Sequence, residues 1–354
     1  RSRQHLNKRT RNLHRSNRAI SLLALVIAAL ALFAGACSDS TDKEPLDKMV
    51  FMAGFKAQAN LPFVAAYVAE TMGYFRDQHL DVEIRHASSG EHLKLLIAGD
   101  VDVTTASGAS VLKRRADPDL PVVAFALFGQ QSQQAFVALK DSGIETPKDW
   151  EGKIFGYKTS VPPEYLAILE ANGVDRSKIT EVRVGFDPRI LTEGKVDILA
   201  VFNSNEPDTI RRLGFDVNVW EPVDFGVPSM GLTYITRNDL VEEEPDKIER
   251  FLKATMKGLR YALDNPDRAL HIVMLNTPQN DLEHERFMLR AELGDAVSPL
   301  TQTDGLGWMT DGQWKAFYEQ LLKFDALPGP LDYRTAYTDQ FLKAVYFESK
   351  VLWP

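Results

Sequence analysis

A chain of 354 residues with 44% apolar and 25% charged side chains has the balance of an ordinary soluble protein and is long enough for two lobes plus a leader. Its formal net charge is −8, from 49 acidic and 41 basic residues, which argues against nucleic acid and anionic lipid as partners. The single cysteine, Cys37, excludes an intrachain disulfide, so stability has to come from core burial. The first predicted element is a leader over 1–36. Seven basic residues (Arg1, Arg3, Lys8, Arg9, Arg11, Arg15, Arg18) come with no acidic one, and an apolar run over 19–36 follows, broken only by Ser21 and Gly35. A basic region, a short apolar core and small residues at a cut site mark a secretory signal. A membrane-spanning anchor is the rival, because the run approaches the roughly 20 residues needed to span. The small residues before Cys37 and the polar stretch after it favour cleavage and a tether over 37–47. Removal of 1–36 leaves 34 basic against 49 acidic residues, a net charge of −15.

Strands and helices then alternate. The apolar run 49–55 predicts a first strand, and Asn60 caps a helix with Pro62 in its first turn. Phe63, Val64, Tyr67, Val68 and Met72 share one face of that helix, and Gly73 closes it. A strand is predicted over 81–86, a helix begun by Ser88 and Ser89 and ended by Gly99, a strand over 101–105, and a helix opened by Ser107. Two more strands follow at 121–128 and 134–140. The pattern restarts with strands at 153–157, 179–186 and 196–202, helices at 162–172 and 188–193, and a further helix capped by Asn203 or Asn205. After a strand at 232–236 the chain is mostly helical: 246–265, 267–275, 281–296 and 311–324. Such alternation is the pattern of α/β layers with mainly parallel strands.

One pattern occurs twice. Leu96, Gly99, Val101, Asp102 and Val103 are echoed by Leu191, Gly194, Val196, Asp197 and Ile198 at a constant offset of 95. Each copy reads as helix, glycine cap, strand and a polar start to the next helix. If the two copies correspond, each lobe aims a helix N-terminus at a common cleft, where free N–H groups can meet a ligand.

Two resemblances extend the reading. Ala34-Gly35-Ala36-Cys37 resembles the lipobox of bacterial lipoproteins, which implies that Cys37 carries the lipid, palmitate included, and becomes the first mature residue. NLPFVAAYVAETMGYF (60–75), LDVE (80–83), AGDVD (98–102) and DWEGK (149–153) resemble the ABC-importer binding proteins for nitrate, sulfonates and thiamine pyrimidine precursors, over about residues 48–350. Within that family FGYKTSVPPEY (155–165), GFDP (185–188) and SNEPD (204–208) look most like the riboflavin-importer binding lipoproteins. The resemblance implies an α/β, two-lobed periplasmic-binding-protein-like (type II) fold with two crossover strands. Lobe 1 would be 48–140 plus 228–354 and lobe 2 would be 141–227. It further implies a lipid-anchored protein on the extracytoplasmic face of the cell membrane, partnered by ABC permease and ATPase subunits, with riboflavin as ligand. A thiamine pyrimidine precursor is the alternative. No cofactor, metal or nucleic acid is expected.

Candidate ligand contacts lie at strand ends. Gln58, Asn60, Ser89, Ser107 and Gln130 (in the polar run 130–133) both donate and accept, which suits the uracil-like edge of a flavin or a pyrimidine. The same serines and amides are also ordinary capping residues. Tyr157 and Tyr165 flank a second-lobe loop and could stack on a flat ring, or could be core; Trp220 and Trp308 are weaker choices. Glu206 matches the position where aminopyrimidine-binding relatives place an acid, although Glu in a first helical turn is also favoured by the helix dipole. Asn203 and Asn205 are similar.

An enzyme is not expected. The pyrimidine synthase that shares the resembling fold carries a cysteine-rich motif, whereas this chain has no Cys after Cys37. His79, His86, His92, His271 and His284 lack metal-ligand spacing, and no nucleophile elbow or phosphate loop occurs. A surface adhesion protein, which would need no deep pocket, is disfavoured by the strand-end polar clusters.

Overall fold

The computed structural model describes residues 45–354 except 89, 117–119 and 159. The expected leader, Cys37 and most of the tether lie outside the described residues. Among the described residues no helix is long and apolar enough to cross a membrane.

The strands are β1 (Asp47–Ala53), β2 (Leu80–His86), β3 (Val103–Ser107), β4 (Val122–Leu127), β5 (Gln134–Leu139), β6 (Ile154–Tyr157), β7 (Thr180–Arg183), β8 (Ile198–Phe202), β9 (Val217–Trp220) and β10 (Leu232–Arg237). They form two five-stranded sheets, ordered β2-β1-β3-β10-β4 and β7-β6-β8-β5-β9. In each sheet the first three strands pair in parallel, as helical connections require. In each, the next strand along is antiparallel to both neighbours and comes from the other half of the chain: β10 in the first sheet, β5 in the second.

β1 starts at Asp47, inside the expected tether. The Asp47 N–H donates to His79 O at 3.1 Å and its carboxylate takes a 2.7 Å bond from Arg250, so the residue is held into the sheet. By strand pairing, β5 belongs to the second sheet, and the chain crosses between sheets over 128–133 rather than at 140. It returns between Trp220 and Leu232. β9 was not expected from the sequence: four residues on an edge carry too little alternation to register as a strand.

The repeated pattern is structurally real. Asp102 and Asp197 each lie just before the third strand of their sheet. The Asp102 N–H donates to Val50 O at 3.0 Å and its carboxylate accepts from the Val50 N–H at 2.8 Å. Asp197 does the same to Ile154, at 2.9 and 2.8 Å. Gly99 and Gly194 end the preceding helices with φ of 82° and 67°, a backbone region that glycine enters without Cβ strain. Leu96, Leu191, Val101 and Val196 are buried in the corresponding places.

The helices Leu61–Thr71 and Pro245–Asp264 cover the first sheet and touch along Gly258, where an added Cβ would lie 2.4 Å from Ala65 O. Phe51, Tyr234 and Phe251 pack at centroid distances of 5.3 to 5.8 Å, and the buried Tyr234 hydroxyl donates to Pro62 O. The β4 edge is covered: the Thr338 N–H donates to Ala124 O at 2.8 Å. The second sheet separates two cores by simple alternation. Phe136, Ala138, Ile198 and Ala200 face one side, while Ala135, Val137, Leu199 and Val201 face the other. On the first side Tyr165 is sandwiched between Phe155 (4.0 Å, 9°) and Trp150 (5.9 Å, 6°).

Candidate functional site

The two crossing segments touch at a pair of glycines. The Gly231 N–H donates to Gly129 O at 3.0 Å, and a Cβ built on Gly231 would stand 2.7 Å from the Gly129 Cα. Gln133 spans the crossing: its amide nitrogen donates to Asp295 and its Oε1 accepts the Ser204 N–H at 2.9 Å. The Ser132 N–H donates to Ser229 Oγ at 3.1 Å.

Above this crossing the carboxyl ends of β1 and β8 meet at one buried carboxylate. Glu292, on helix Leu282–Asp295, accepts Asn60 Nδ2 at 2.8 Å, the Leu61 N–H at 3.2 Å and Ser204 Oγ at 3.0 Å. Asn60 in turn accepts Gln58 Nε2 at 2.5 Å. Seven residues earlier on the same helix, Glu285 accepts the Ala59 N–H at 2.7 Å and Asn280 Nδ2 at 2.6 Å. His284 bonds to Asp208 (2.8 Å) and Asn205 (3.0 Å), on or just before helix Glu206–Arg212 of the second lobe. Along this one helix Glu292 holds donors from both lobes, Glu285 holds the loop after β1, and His284 reaches the second lobe.

Burial pushes the Glu292 carboxyl above its ordinary range, against the pull of its three donors. Asp295 is pushed up to about 7, first by burial and then by the facing charges of Glu292 and Glu221. Because its folded value lies above its unfolded one, the folded state keeps a proton that the unfolded chain gives up between about pH 4 and 7, and stability falls with rising pH across that window. Asp295→Asn is therefore expected to flatten the decline. Urea unfolding at pH 5 and pH 8 should show the wild-type loss reduced by about 2 kcal/mol in the variant. An undiminished loss would remove Asp295 as its source.

The second-lobe side of the junction carries an aromatic wall. Phe202, the last residue of β8, and Phe186, just after β7, are 48% and 67% exposed. Lys158, immediately after β6, lies between them, with Nζ 5.1 Å from the Phe202 ring and 5.7 Å from the Phe186 ring. Lys158 pairs with Glu206 Oε1, while Glu206 Oε2 accepts the Phe202 N–H at 2.8 Å. From the first lobe Phe55, beyond the end of β1, is 48% exposed, and its carbonyl meets His86 Nδ1 at 3.1 Å. Phe186 and Phe202, two large apolar rings left in solvent on either side of Lys158, make a surface suited to a flat apolar ligand.

The structure sorts the sequence candidates. Gln58 and Asn60 meet at the junction, but Asn60 makes no side-chain cap on its helix; its amide reaches Glu292 instead. Ser107 is an exposed cap accepting the Ser110 N–H at 3.2 Å. Ser89 lies outside the described residues, and the nearby helix starts only at His92. The Gln130 amide is spent within the first lobe, donating to Trp308 O at 2.9 Å and accepting Gln313 Nε2 at 3.1 Å. Tyr157 is half-buried against Phe155, whereas Tyr165 is 0% exposed inside its stack and has no face to offer a ligand. Asn203 donates to Glu221 at 2.8 Å, and Trp220 is packed on Trp150. Glu206 stands in the wall, but already paired. Phe55, Lys158, Phe186, Phe202, Ser204 and Glu292 were not singled out from the sequence. An aromatic at the last position of a buried strand, as in Phe202, is the signal that could have found part of the wall. Among the described residues no group of His, Cys, Asp and Glu is placed to hold a metal ion.

Two sheets exchanging one strand each through paired crossings define a two-lobed α/β binding-protein fold. The same architecture is found in the periplasmic aliphatic sulphonate-binding protein SsuA of Escherichia coli, with a TM-score of 0.62 and 12% identity over 82% of this chain and 91% of that one. The chain belongs to the NMT1/THI5-like family, which matches over residues 60–269. One relative is the formylaminopyrimidine-binding protein of Halalkalibacterium halodurans, 27% identical over 311 residues, covering 84% of this chain and 93% of the relative. Another is the riboflavin-binding protein RibY of Chloroflexus aurantiacus, 28% identical over 295 residues, covering 80% and 83%.

Proposed function

We propose that this protein is the extracytoplasmic solute-binding component of an ABC importer, tethered by lipid on Cys37, and that its ligand is riboflavin. The observation that carries the reading is the wall formed by Phe186 and Phe202 around the Lys158–Glu206 pair. A tricyclic flavin ring offers the flat area such a wall can cover, and ring stacking adds about 1 kcal/mol per pair beyond burial. The names of the two relatives support a heteroaromatic ligand, one a flavin and the other an aminopyrimidine. The aminopyrimidine is the second reading, and the acid at Glu206 is what favours it. Binding rather than catalysis is supported by the names of both relatives, each a binding protein.

At about 0.3 kcal/mol per heavy atom, a ligand of roughly 27 such atoms reaches about −8 kcal/mol, near micromolar. Riboflavin titrated into the purified protein should lose its fluorescence with saturation at one ligand per chain, at micromolar concentration or below. Phe202→Ala should weaken binding about 5-fold, the equivalent of one lost stacking contact. No quenching up to tens of micromolar by folded protein would remove riboflavin and leave the importer class to be tested with pyrimidines.

A further inference from the structure

We propose that Lys158 is a specificity-determining residue: by neutralising Glu206 it makes the second-lobe wall select flat rings that present carbonyl oxygens and reject rings that present amino donors. The assignment rests on the cleft being the ligand site, as proposed above.

Glu206 is 4% exposed, and each of its oxygens already holds a donor, Lys158 Nζ on one and the Phe202 N–H on the other. Its burial leaves no open approach beside those donors, so an aminopyrimidine that sought a carboxylate partner would have to displace Lys158. That displacement is opposed on three sides. The side chain is only 11% exposed, so the ion pair is largely desolvated and parting it strands a buried charge. The ammonium also lies within 6 Å of two ring centroids, in the range of cation–π attraction. And the Lys158 carbonyl accepts Arg183 Nε at 3.1 Å, which fixes the backbone that carries it and brings a second cation to the same edge. The neighbouring Arg189 is paired with Asp187 and adds no net charge, which leaves Arg183 as the added cation at this edge. An ammonium has three N–H donors, of which Glu206 engages one. The others suit acceptor oxygens, such as the two carbonyls on the pyrimidine-dione edge of a flavin, and repel a protonated amino ring.

Calorimetric titration with three probes tests this: riboflavin, the dioxopteridine lumazine, and 4-amino-5-hydroxymethyl-2-methylpyrimidine. The unaltered protein should bind a carbonyl-bearing ring at least 10-fold more tightly than the aminopyrimidine. Lys158→Met should weaken the carbonyl ring about 10-fold and tighten the aminopyrimidine about 10-fold, because Glu206 is released. Lys158→Arg should keep the original order. Lys158→Met combined with Glu206→Gln should lose the aminopyrimidine gain while removing the stranded charge, so a folding defect in the single variant does not decide the outcome. If riboflavin fails but lumazine still outranks the aminopyrimidine and Lys158→Met inverts that order, the riboflavin reading falls and the role of Lys158 stands. Preference of the unaltered protein for the aminopyrimidine, equal weakening of both ring types by Lys158→Met, or binding of none of the probes would each overturn it.

Discussion

Replacing Glu292 by alanine is expected to cost about 3 kcal/mol of stability and to uncouple Asn60 from Ser204. The carboxylate accepts from an amide, a backbone N–H and a hydroxyl, and two of the three come from opposite lobes. Leu61 is buried, so its N–H is left without a partner and with little access to water. Asn60 and Ser204 lose their common acceptor. A double-mutant cycle separates this from simple truncation. Ser204→Ala alone should cost about 1 kcal/mol in urea unfolding, and almost nothing when Glu292 is already alanine. An equal cost in both backgrounds would mean that the hydroxyl does not act through Glu292. The isosteric Glu292→Gln should fall between the two, since one oxygen remains for Asn60 and Ser204 while the Leu61 N–H faces an amide.

A second large effect is expected at the crossing. Gly231→Ala places a methyl group 2.7 Å from both the Cα and the carbonyl oxygen of Gly129 and 2.9 Å from Gln131 O. All three are backbone atoms, so no rotamer change relieves the contact. Overpacking of a core costs about 1–3 kcal/mol where side chains can shift, and here the two segments joining the lobes must part instead. A loss of about 3 kcal/mol should lower Tm by roughly 5–10 °C. Separation of the segments also alters the relative placement of β4, β5 and β10, so ligand affinity should fall with stability. A variant with unchanged Tm and unchanged affinity would show that the crossing has room to spare. Gly129→Ala is a milder companion, because its Cβ would meet the Gly231 Cα at 3.3 Å and Gln131 O at 2.8 Å.

Much of the second lobe's wall was legible as sequence but not as function. The motif over 155–165 contains Lys158, and Glu206 was named, yet nothing in their spacing of 48 residues says that they pair. Tyr165 illustrates the opposite error. It stands two residues into helix Pro163–Ala171, where a tyrosine after a proline pair could face either solvent or core. The stack with Trp150 and Phe155 settles its place, and both partners come from other elements. The polar run 130–133 was read as candidate ligand contacts, but it lies in the crossing and its amides bind Trp308, Asp295 and Ser204 rather than standing free.

Local pattern was enough for the alternation of strands and helices, the glycine stops, and the echo that puts Asp102 and Asp197 in equivalent places. These depend on backbone periodicity and on contacts within a short stretch of chain or one repeat. The use to which each polar strand-end residue is put was decided only in three dimensions. Asn60 finds Glu292 across 232 residues, and Ser204 finds the same oxygen across 88. A donor in a loop looks the same in sequence whether it is free for a ligand or already spent. Only the arrival of a distant buried carboxylate or cation, as at Glu292 and Lys158, separates the groups that bind the lobes together from the surface left open for a guest.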